Sequence, residues 1–237
     1  MSRTAYHEAG HALCGMYFGA VVDECVAGRA GGATRIHFDA DVPAPSAPLR
    51  TRQDRRAALA GLMRHELAVG EIRASIAFGG MLAERLLTGD GRLSRSDVDM
   101  LEDGLETVAL ALRRRDVSRE PSRRRAMALV GSVRGRQFIR RLVDYLDRHG
   151  TATGPACVGV FREIFGRSPP TLEQWVTCWP PRQAWLEVAL LPSEVRAYTA
   201  TAKQLREGRP WNHTPNALTL AHTTLRHSSA MRRSSPL

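Results

Sequence analysis

The sequence predicts a mainly α-helical fold with a small β region at about residues 20–38. Apolar residues recur at helical spacing over much of the chain. Residues 20–38 differ, because short β-branched runs alternate with glycines there, as in strands joined by tight turns. The 237-residue chain is 43% hydrophobic, which is enough to build a substantial core.

The same patterns predict the individual elements in order. The predicted helices run from about Arg3 to Phe18, Arg52 to Leu87, Ser96 to Arg114 and Arg134 to Arg148, then from about Leu172 to Trp179, Arg182 to Leu190 and Ser193 to Arg206. One more short helix is predicted within residues 151–166, after a Gly150–Gly154 turn. Three prolines within residues 41–50 predict a surface loop. The long second helix is either continuous or interrupted near Gly70 or at Gly79–Gly80. The segment SREPSRRR, residues 118–125, is expected to break the helical pattern.

A composition change marks a domain boundary. The segment RSPPT, residues 167–171, separates a domain at residues 1–168 from a helical extension at residues 169–237. Residues 208–237 are polar and rich in Ser, Thr and His, so we expect this tail to be disordered.

The cysteines and the lengths of the apolar runs indicate the cellular compartment. No apolar run approaches the roughly 18 residues needed to span a bilayer, and the first residues lack the apolar segment of a secretory signal. The four cysteines, Cys14, Cys25, Cys157 and Cys178, contain no C-x-x-C pair. We therefore expect a cytoplasmic protein with no transmembrane segment.

The positive charge is concentrated in one Arg-rich region, residues 113–141. It holds eleven arginines against Asp116 and Glu120, a net charge of +9, whereas the whole chain carries +10. Such a region could bind a polyanion, either nucleic acid or an anionic membrane surface. Aromatic residues for base stacking are almost absent there and no nucleic-acid motif appears, so a solvated helical face is the preferred interpretation.

The first predicted helix carries the clearest chemical motif, TAYHEAGHALCGMYFG at residues 4–19. His7 and His11 are four residues apart, so their imidazoles lie one turn apart on one face and can hold one metal ion. Glu8 is placed beside an open coordination position, where it can take a proton from metal-bound water. This is the H-E-x-x-H arrangement of zinc peptidases, in which Zn²⁺ lowers the pKa of the water and polarises the scissile carbonyl.

A catalytic zinc needs a third protein ligand. The metzincin pattern is excluded, because Cys14 and Tyr17 occupy the positions where it requires Gly and then His or Asp. Cys14 lies on the same face as His7 but a turn beyond His11, and we interpret it as a core residue.

Three blocks together resemble the peptidase domain of FtsH-type membrane AAA proteases. They are AYHEAGHAL, FGGMLAERLLTG at residues 78–89 and LSRSDVDMLEDG at residues 93–104, and the resemblance covers roughly residues 3–165. It implies a helical, zincin-like peptidase domain that binds Zn²⁺ through His7, His11 and Asp97, with Glu8 as general base. The family's ATPase module is not found in this sequence, so a separate ATPase would have to unfold folded substrates.

Several residues have competing interpretations. Asp97 is either the third ligand or a carboxylate that favours its helix dipole, and Asp99, about 200° around the helix, cannot face the zinc together with it. Glu84 either hydrogen-bonds a ligand imidazole or forms a buried salt bridge with an arginine. His37 ends a predicted edge strand that could pair with an extended peptide, and His65 is expected on a solvated helix face.

Two functional hypotheses follow from the sequence. The first is a zinc metallopeptidase that hydrolyses peptide bonds in unfolded or flexible polypeptides. The second is a zinc-stabilised interaction domain without proteolytic activity, which binds a polyanion or acidic partner through the Arg-rich region. The presence of Glu8 favours the enzyme, because a binding module does not require a general base at that position. The sequence does not indicate the oligomeric state.

Overall fold

The computed structural model describes residues 2–38, 51–112 and 117–178, except for the side chains of residues 56, 177 and 178. The elements are α1 (Arg3–Tyr17), β1 (Val21–Gly28), β2 (Gly31–His37), α2 (Arg52–Thr88), α3 (Arg95–Leu112), α4 (Glu120–Gly131), α5 (Val133–His149), β3 (Thr151–Thr153), α6 (Gly154–Phe165) and α7 (Leu172–Cys178). The fold is mainly α-helical with a small antiparallel sheet, which confirms the predicted fold class.

Helix α1 lies at the centre of the core, and twelve of its fifteen residues are buried. It packs on α2, where Gly10 meets Gly79 so closely that a Cβ on Gly10 would lie 2.3 Å from the Gly79 carbonyl oxygen. The small residues of the motif therefore bring the backbones of two helices into contact. Cys14 is buried at the same crossing, as expected, and burial raises the pKa of its thiol far above the usual value.

Helix α2 is continuous over 37 residues, so neither glycine site interrupts it. It begins with a capping box between Thr51 and Asp54. It ends at Gly89, whose φ of 73° is in the left-handed region that glycine adopts without strain. Gly70 faces Gly104 of α3, and a Cβ on either residue would lie 2.6 Å from the other's carbonyl oxygen. Glycines that look like interruptions in the sequence are the positions where α1 and α3 cross α2.

The sheet has the strand order β2-β1-β3, with both pairs antiparallel. Strands β1 and β2 confirm the predicted β region, and β2 lies at one edge of this sheet. Strand β3 was expected only as a turn between Gly150 and Gly154. It pairs over three residues, and so short a strand has no periodicity that a sequence could show.

The segment expected to break the helical pattern is mostly helical. Helix α4 begins at Glu120, and Pro121 occupies its first turn, where proline's missing N–H costs nothing. Helices α5 and α6 then pack on α1 through apolar faces that include Phe138 and Phe161, whose ring centroids are 6.1 Å apart.

Helix α7 packs against the end of α1. Trp175 donates its indole N–H to the Tyr17 carbonyl oxygen over 2.9 Å. By internal contacts, the chain divides into Met1–Arg182 and Gln183–Leu237. The predicted boundary at residue 168 stays a prediction, and the helices and tail predicted beyond residue 178 lie outside the described residues. Among the described helices, none has the length and apolar character to cross a membrane.

Candidate metal centre

Helix α1 presents both motif histidines toward α2 and α3. Because they are four residues apart, His7 and His11 lie one turn apart, with ring centroids separated by 4.7 Å in an edge-on arrangement. The His11 side chain is 7% exposed and that of His7 is 14% exposed, so the pair lies just beneath the surface.

Asp97 reaches the two histidines from the first turn of α3. Its Oδ1 lies 3.0 Å from Nε2 of His11, and its Oδ2 lies 3.2 Å from Nε2 of His7. Ser94 forms a capping box with it: the Ser94 N–H donates to Asp97 Oδ2, and the Asp97 N–H donates to Ser94 Oγ. The contacts with Ser94 show the role of Asp97 in the first turn of its helix, and its role as a metal ligand stays a prediction. Asp99 is exposed and does not join the group.

The Nε2 atom of each histidine faces Asp97, and the other ring nitrogen, Nδ1, has a separate hydrogen-bond acceptor. Nδ1 of His11 donates to the Ile76 carbonyl oxygen over 2.8 Å, and Nδ1 of His7 donates to Glu84 Oε2 over 3.3 Å. Glu84 also forms an ion pair with Arg3, so both interpretations of Glu84 match the geometry. A carbonyl and a carboxylate can only accept, so both Nδ1 atoms donate. In the neutral form of each ring, the Nε2 lone pair therefore faces Asp97.

This arrangement fits a tetrahedral zinc ion. The ligand atoms of His7, His11 and Asp97 all lie within 4.8 Å of one another. Two atoms that are each bonded to tetrahedral Zn²⁺ at 2.0–2.1 Å lie about 3.3 Å apart, close to the 3.0 and 3.2 Å observed. Space for an ion depends on Gly80, because a Cβ there would lie 2.4 Å from His11 Nε2 and 2.8 Å from His7 Nε2.

Electrostatics at the centre favour a positive charge between these groups. Burial alone would raise the pKa of Asp97, but its hydrogen bonds to His11 and His7 outweigh burial and hold the pKa far below the usual value. For His11 the directions are reversed: burial alone would lower its pKa, but the hydrogen bond and charge of Asp97 outweigh burial and raise the pKa overall. Without a bound cation, the site therefore attracts a proton to the position that the geometry offers to a metal.

Glu8 is 6% exposed and is held by β2. The Thr34 hydroxyl donates to Glu8 Oε2 over 2.7 Å. Glu8 does not belong to the metal-ligating group, yet its charge contributes to the raised pKa of His11. Its charge therefore acts on His11, and the general-base role that the motif predicts for Glu8 stays a prediction.

Two other histidines occupy different surroundings. His37 ends the edge strand β2, where its Nδ1 lies 2.9 Å from Asp23 Oδ2 on the exposed side of the sheet. The prediction for His65 was wrong, because it is 9% exposed and therefore buried. Its Nδ1 lies 3.5 Å from Oε1 of the neighbouring Glu66.

Three contributors to the candidate centre were not predicted from the sequence: Thr34, the Ile76 carbonyl and Gly80. The positions of Ile76 and Gly80 at the centre depend on how α2 packs against α1, and the position of Thr34 depends on how closely β2 approaches α1. A backbone carbonyl has no residue-type signal, and the Gly79–Gly80 pair suggested an interruption of the helix. The one usable signal was Gly32-x-Thr34, because a glycine two residues before a threonine on a strand marks a close approach on the same face.

The Arg-rich region is divided between two helices. Arg123 and Arg124 pair with Glu120, and Arg141 pairs with Glu163. Arg125 forms an ion pair with Glu71 of α2 over 2.7 Å, with only 11% of its side chain exposed. Within the described part of this region, Arg125 thus joins α4 to α2 and Arg141 joins α5 to α6, whereas the pairs with Glu120 lie within α4.

No protein-family model matches this chain, and comparison with curated proteins gave no match. The function must therefore be argued from the centre itself.

Proposed function

We propose that this protein is a zinc-dependent metallopeptidase of the FtsH type that hydrolyses unfolded or flexible polypeptides. The observation that carries the proposal is the convergence of His7, His11 and Asp97 within 4.8 Å, with the Nδ1 atom of each histidine already committed as a donor. A structural ion pair would not require all three groups to turn their acceptor atoms toward one point.

Each nearby group then has a role in peptide hydrolysis. Bound Zn²⁺ would supply a Lewis acid that lowers the pKa of a water molecule and polarises the scissile carbonyl. Glu8 accepts a proton from the attacking water and returns it to the departing amine as the C–N bond breaks. Strand β2, at the edge of the sheet, carries Thr34 against Glu8, so an extended peptide paired with this edge would run beside the general base.

The first test is the zinc content per chain, measured by elemental mass spectrometry. We expect one zinc per unmodified chain and an affinity weakened about 100-fold or more in Asp97→Asn, since even outer partners of metal ligands contribute 10–100-fold. Asparagine still accepts the Ser94 N–H, so the helix cap is retained. The control is Asp99→Asn, which changes an exposed residue of the same helix and should bind zinc normally. Zinc binding that is equal in both variants would contradict the ligand assignment.

The second test concerns the general base. We expect Glu8→Gln to retain zinc but to hydrolyse fluorescently labelled casein, an unfolded polypeptide, about 100-fold more slowly or worse. Glu102→Gln on the exposed face of α3 is the control and should be unaffected. Equal rates in Glu8→Gln and the unmodified chain would contradict the peptidase mechanism.

The interaction-domain hypothesis makes a different prediction. It expects binding to a short DNA duplex that weakens steeply with salt, together with no peptidase activity in the zinc-loaded chain. The pairing of Arg123, Arg124 and Arg125 with carboxylates reduces the charge available to a polyanion, which is why the peptidase is the better-supported proposal. Salt-sensitive binding without hydrolysis would reverse this preference.

A further inference from the structure

We propose that Thr34 is a positioning residue for the general base, fixing the Glu8 carboxylate so that one defined oxygen takes up the proton. This inference rests on the proposed peptidase function. Thr34 lies on β2, 26 residues from Glu8, and its hydroxyl is 2.7 Å from Glu8 Oε2. That distance is characteristic of a hydroxyl that donates to an ionised carboxylate.

The hydroxyl has one proton and three acceptors within reach. Glu8 Oε2 lies at 2.7 Å, the Glu8 carbonyl oxygen at 3.1 Å and Cys25 Sγ at 3.6 Å. The Glu8 carbonyl already takes part in the backbone hydrogen bonding of α1, and sulfur is a weak acceptor. The charged and closest oxygen therefore receives the proton, and the bond to the carboxylate is the dominant one.

The backbone of Gly32, also on β2, packs closely against the aliphatic part of the Glu8 side chain from the same side. A Cβ on Gly32 would lie 2.7 Å from Glu8 Cγ, which is too close for any side chain. Residues 32 and 34 face the same side of the strand because side chains alternate along it. The missing side chain of Gly32 thus lets β2 approach closely enough for the Thr34 hydroxyl to reach Oε2.

This contact gives the two carboxylate oxygens different roles. The Thr34 hydrogen bond restricts rotation of the carboxylate and occupies a lone pair on Oε2. Within the described part of the chain, no hydrogen bond or ion pair engages Oε1, so we assign to Oε1 the uptake of the proton from the attacking water. The sequence motif identifies Glu8 as the base, but only β2 fixes its orientation.

The kinetic test compares Thr34→Val, which removes the hydroxyl and keeps the β-branched shape, with Thr34→Ser, which retains the hydroxyl. With labelled casein as substrate, we expect Thr34→Val to lower kcat about three- to tenfold with KM and zinc content unchanged. Thr34→Ser should stay within about twofold of the unmodified chain. The control is Thr153→Val, which removes an exposed hydroxyl from the same sheet. Full activity of Thr34→Val, or equal loss in Thr34→Ser, would overturn the proposal.

A second measurement does not depend on activity. In the metal-free chain, a double-mutant cycle between Thr34→Val and Glu8→Ala should show a coupling of about threefold or more in the unfolding equilibrium constant. The carbonyl contact survives in Glu8→Ala, so the cycle reports only the contact with the carboxylate. Zero coupling overturns the positioning role. If the zinc-loaded chain hydrolyses nothing, the peptidase proposal fails, while coupling in the cycle still supports the contact between Thr34 and the Glu8 carboxylate.

Discussion

Gly80 determines whether the candidate metal centre has room for an ion. A Cβ at this position would lie 2.4 Å from Nε2 of His11, the atom that faces Asp97. We expect Gly80→Ala to push both histidines away from Asp97 and to weaken zinc binding about 100-fold or more, as loss of a ligand would. Zinc content and affinity, measured by competition with a chromogenic chelator, test this expectation.

Gly61 offers a matched control in the same helix. A Cβ there meets nothing within 4 Å, so Gly61→Ala should leave zinc binding intact. It should also stabilise the chain by about 1 kcal/mol, because alanine loses less conformational freedom in a helix than glycine. Normal zinc affinity in Gly80→Ala would show that the space above residue 80 is not used by the ion.

At the scale of single residues, the sequence predicts the arrangement of side chains that are close together along the chain, but not contacts between distant segments. His7, Glu8 and His11 lie within five residues, so helical spacing alone predicts their arrangement. Asp97 was inferred only from the resemblance of its block to the FtsH-type pattern, and the structure brings it to the two histidines. Thr34 could not be assigned, because its contact depends on how β2 approaches α1.

At the scale of elements, α2 organises the domain by crossing two other helices at glycines. Gly79 faces Gly10 of α1, and Gly70 faces Gly104 of α3. In the sequence these glycines lower the helical propensity and so suggested interruptions. Helix packing overrides propensity here, because backbone contact at the crossings is available only to residues without a side chain.

A partly buried ion pair joins helix α4 to α2. Arg125 pairs with Glu71, and only 11% and 20% of the two side chains are exposed. The Ser122 hydroxyl also donates to the Glu71 carbonyl oxygen. We expect Arg125→Ala to lower the free energy of unfolding by about 2–3 kcal/mol, because it leaves the Glu71 charge poorly solvated.

The neighbouring arginine provides the comparison. Arg124 pairs with Glu120 at the surface, with 70% of its side chain exposed, so Arg124→Ala should cost less than about 1 kcal/mol. Urea unfolding of both variants measures the difference. Equal losses would mean that the Arg125 pair contributes no more than a surface pair, and that the Arg-rich region is free to serve another role.

At the scale of the whole molecule, the candidate centre joins parts of the chain that are distant in sequence. His7 and His11 belong to α1 and Asp97 to α3, so an ion bound by them would connect two helices, and Glu84 of α2 contacts one of the ligand imidazoles. Metal that binds only the folded chain stabilises it by mass action. Zinc should therefore raise the Tm of the protein, and the size of the increase should depend on pH.

The direction of this dependence follows from the shifted pKa values. In the metal-free chain, the raised pKa of His11 contributes stability that is present below about pH 6.5 and is lost as the pH rises through the raised value. The lowered pKa of Asp97 contributes stability that is lost only in strong acid, so it does not alter this range. Zinc binding requires His11 without a proton on Nε2, so the apparent affinity increases over the same range of pH.

The difference in Tm between zinc-loaded and chelator-treated protein should therefore widen as the pH rises from about 6 to about 8.5. Thermal unfolding followed by circular dichroism at several pH values measures it. Metal-free Asp97→Asn is the control: it lacks the carboxylate that raises the pKa of His11, so its Tm should decline less over this range. A constant difference between the two forms would mean that zinc does not compete with the proton held between His11 and Asp97, and would place the bound ion elsewhere.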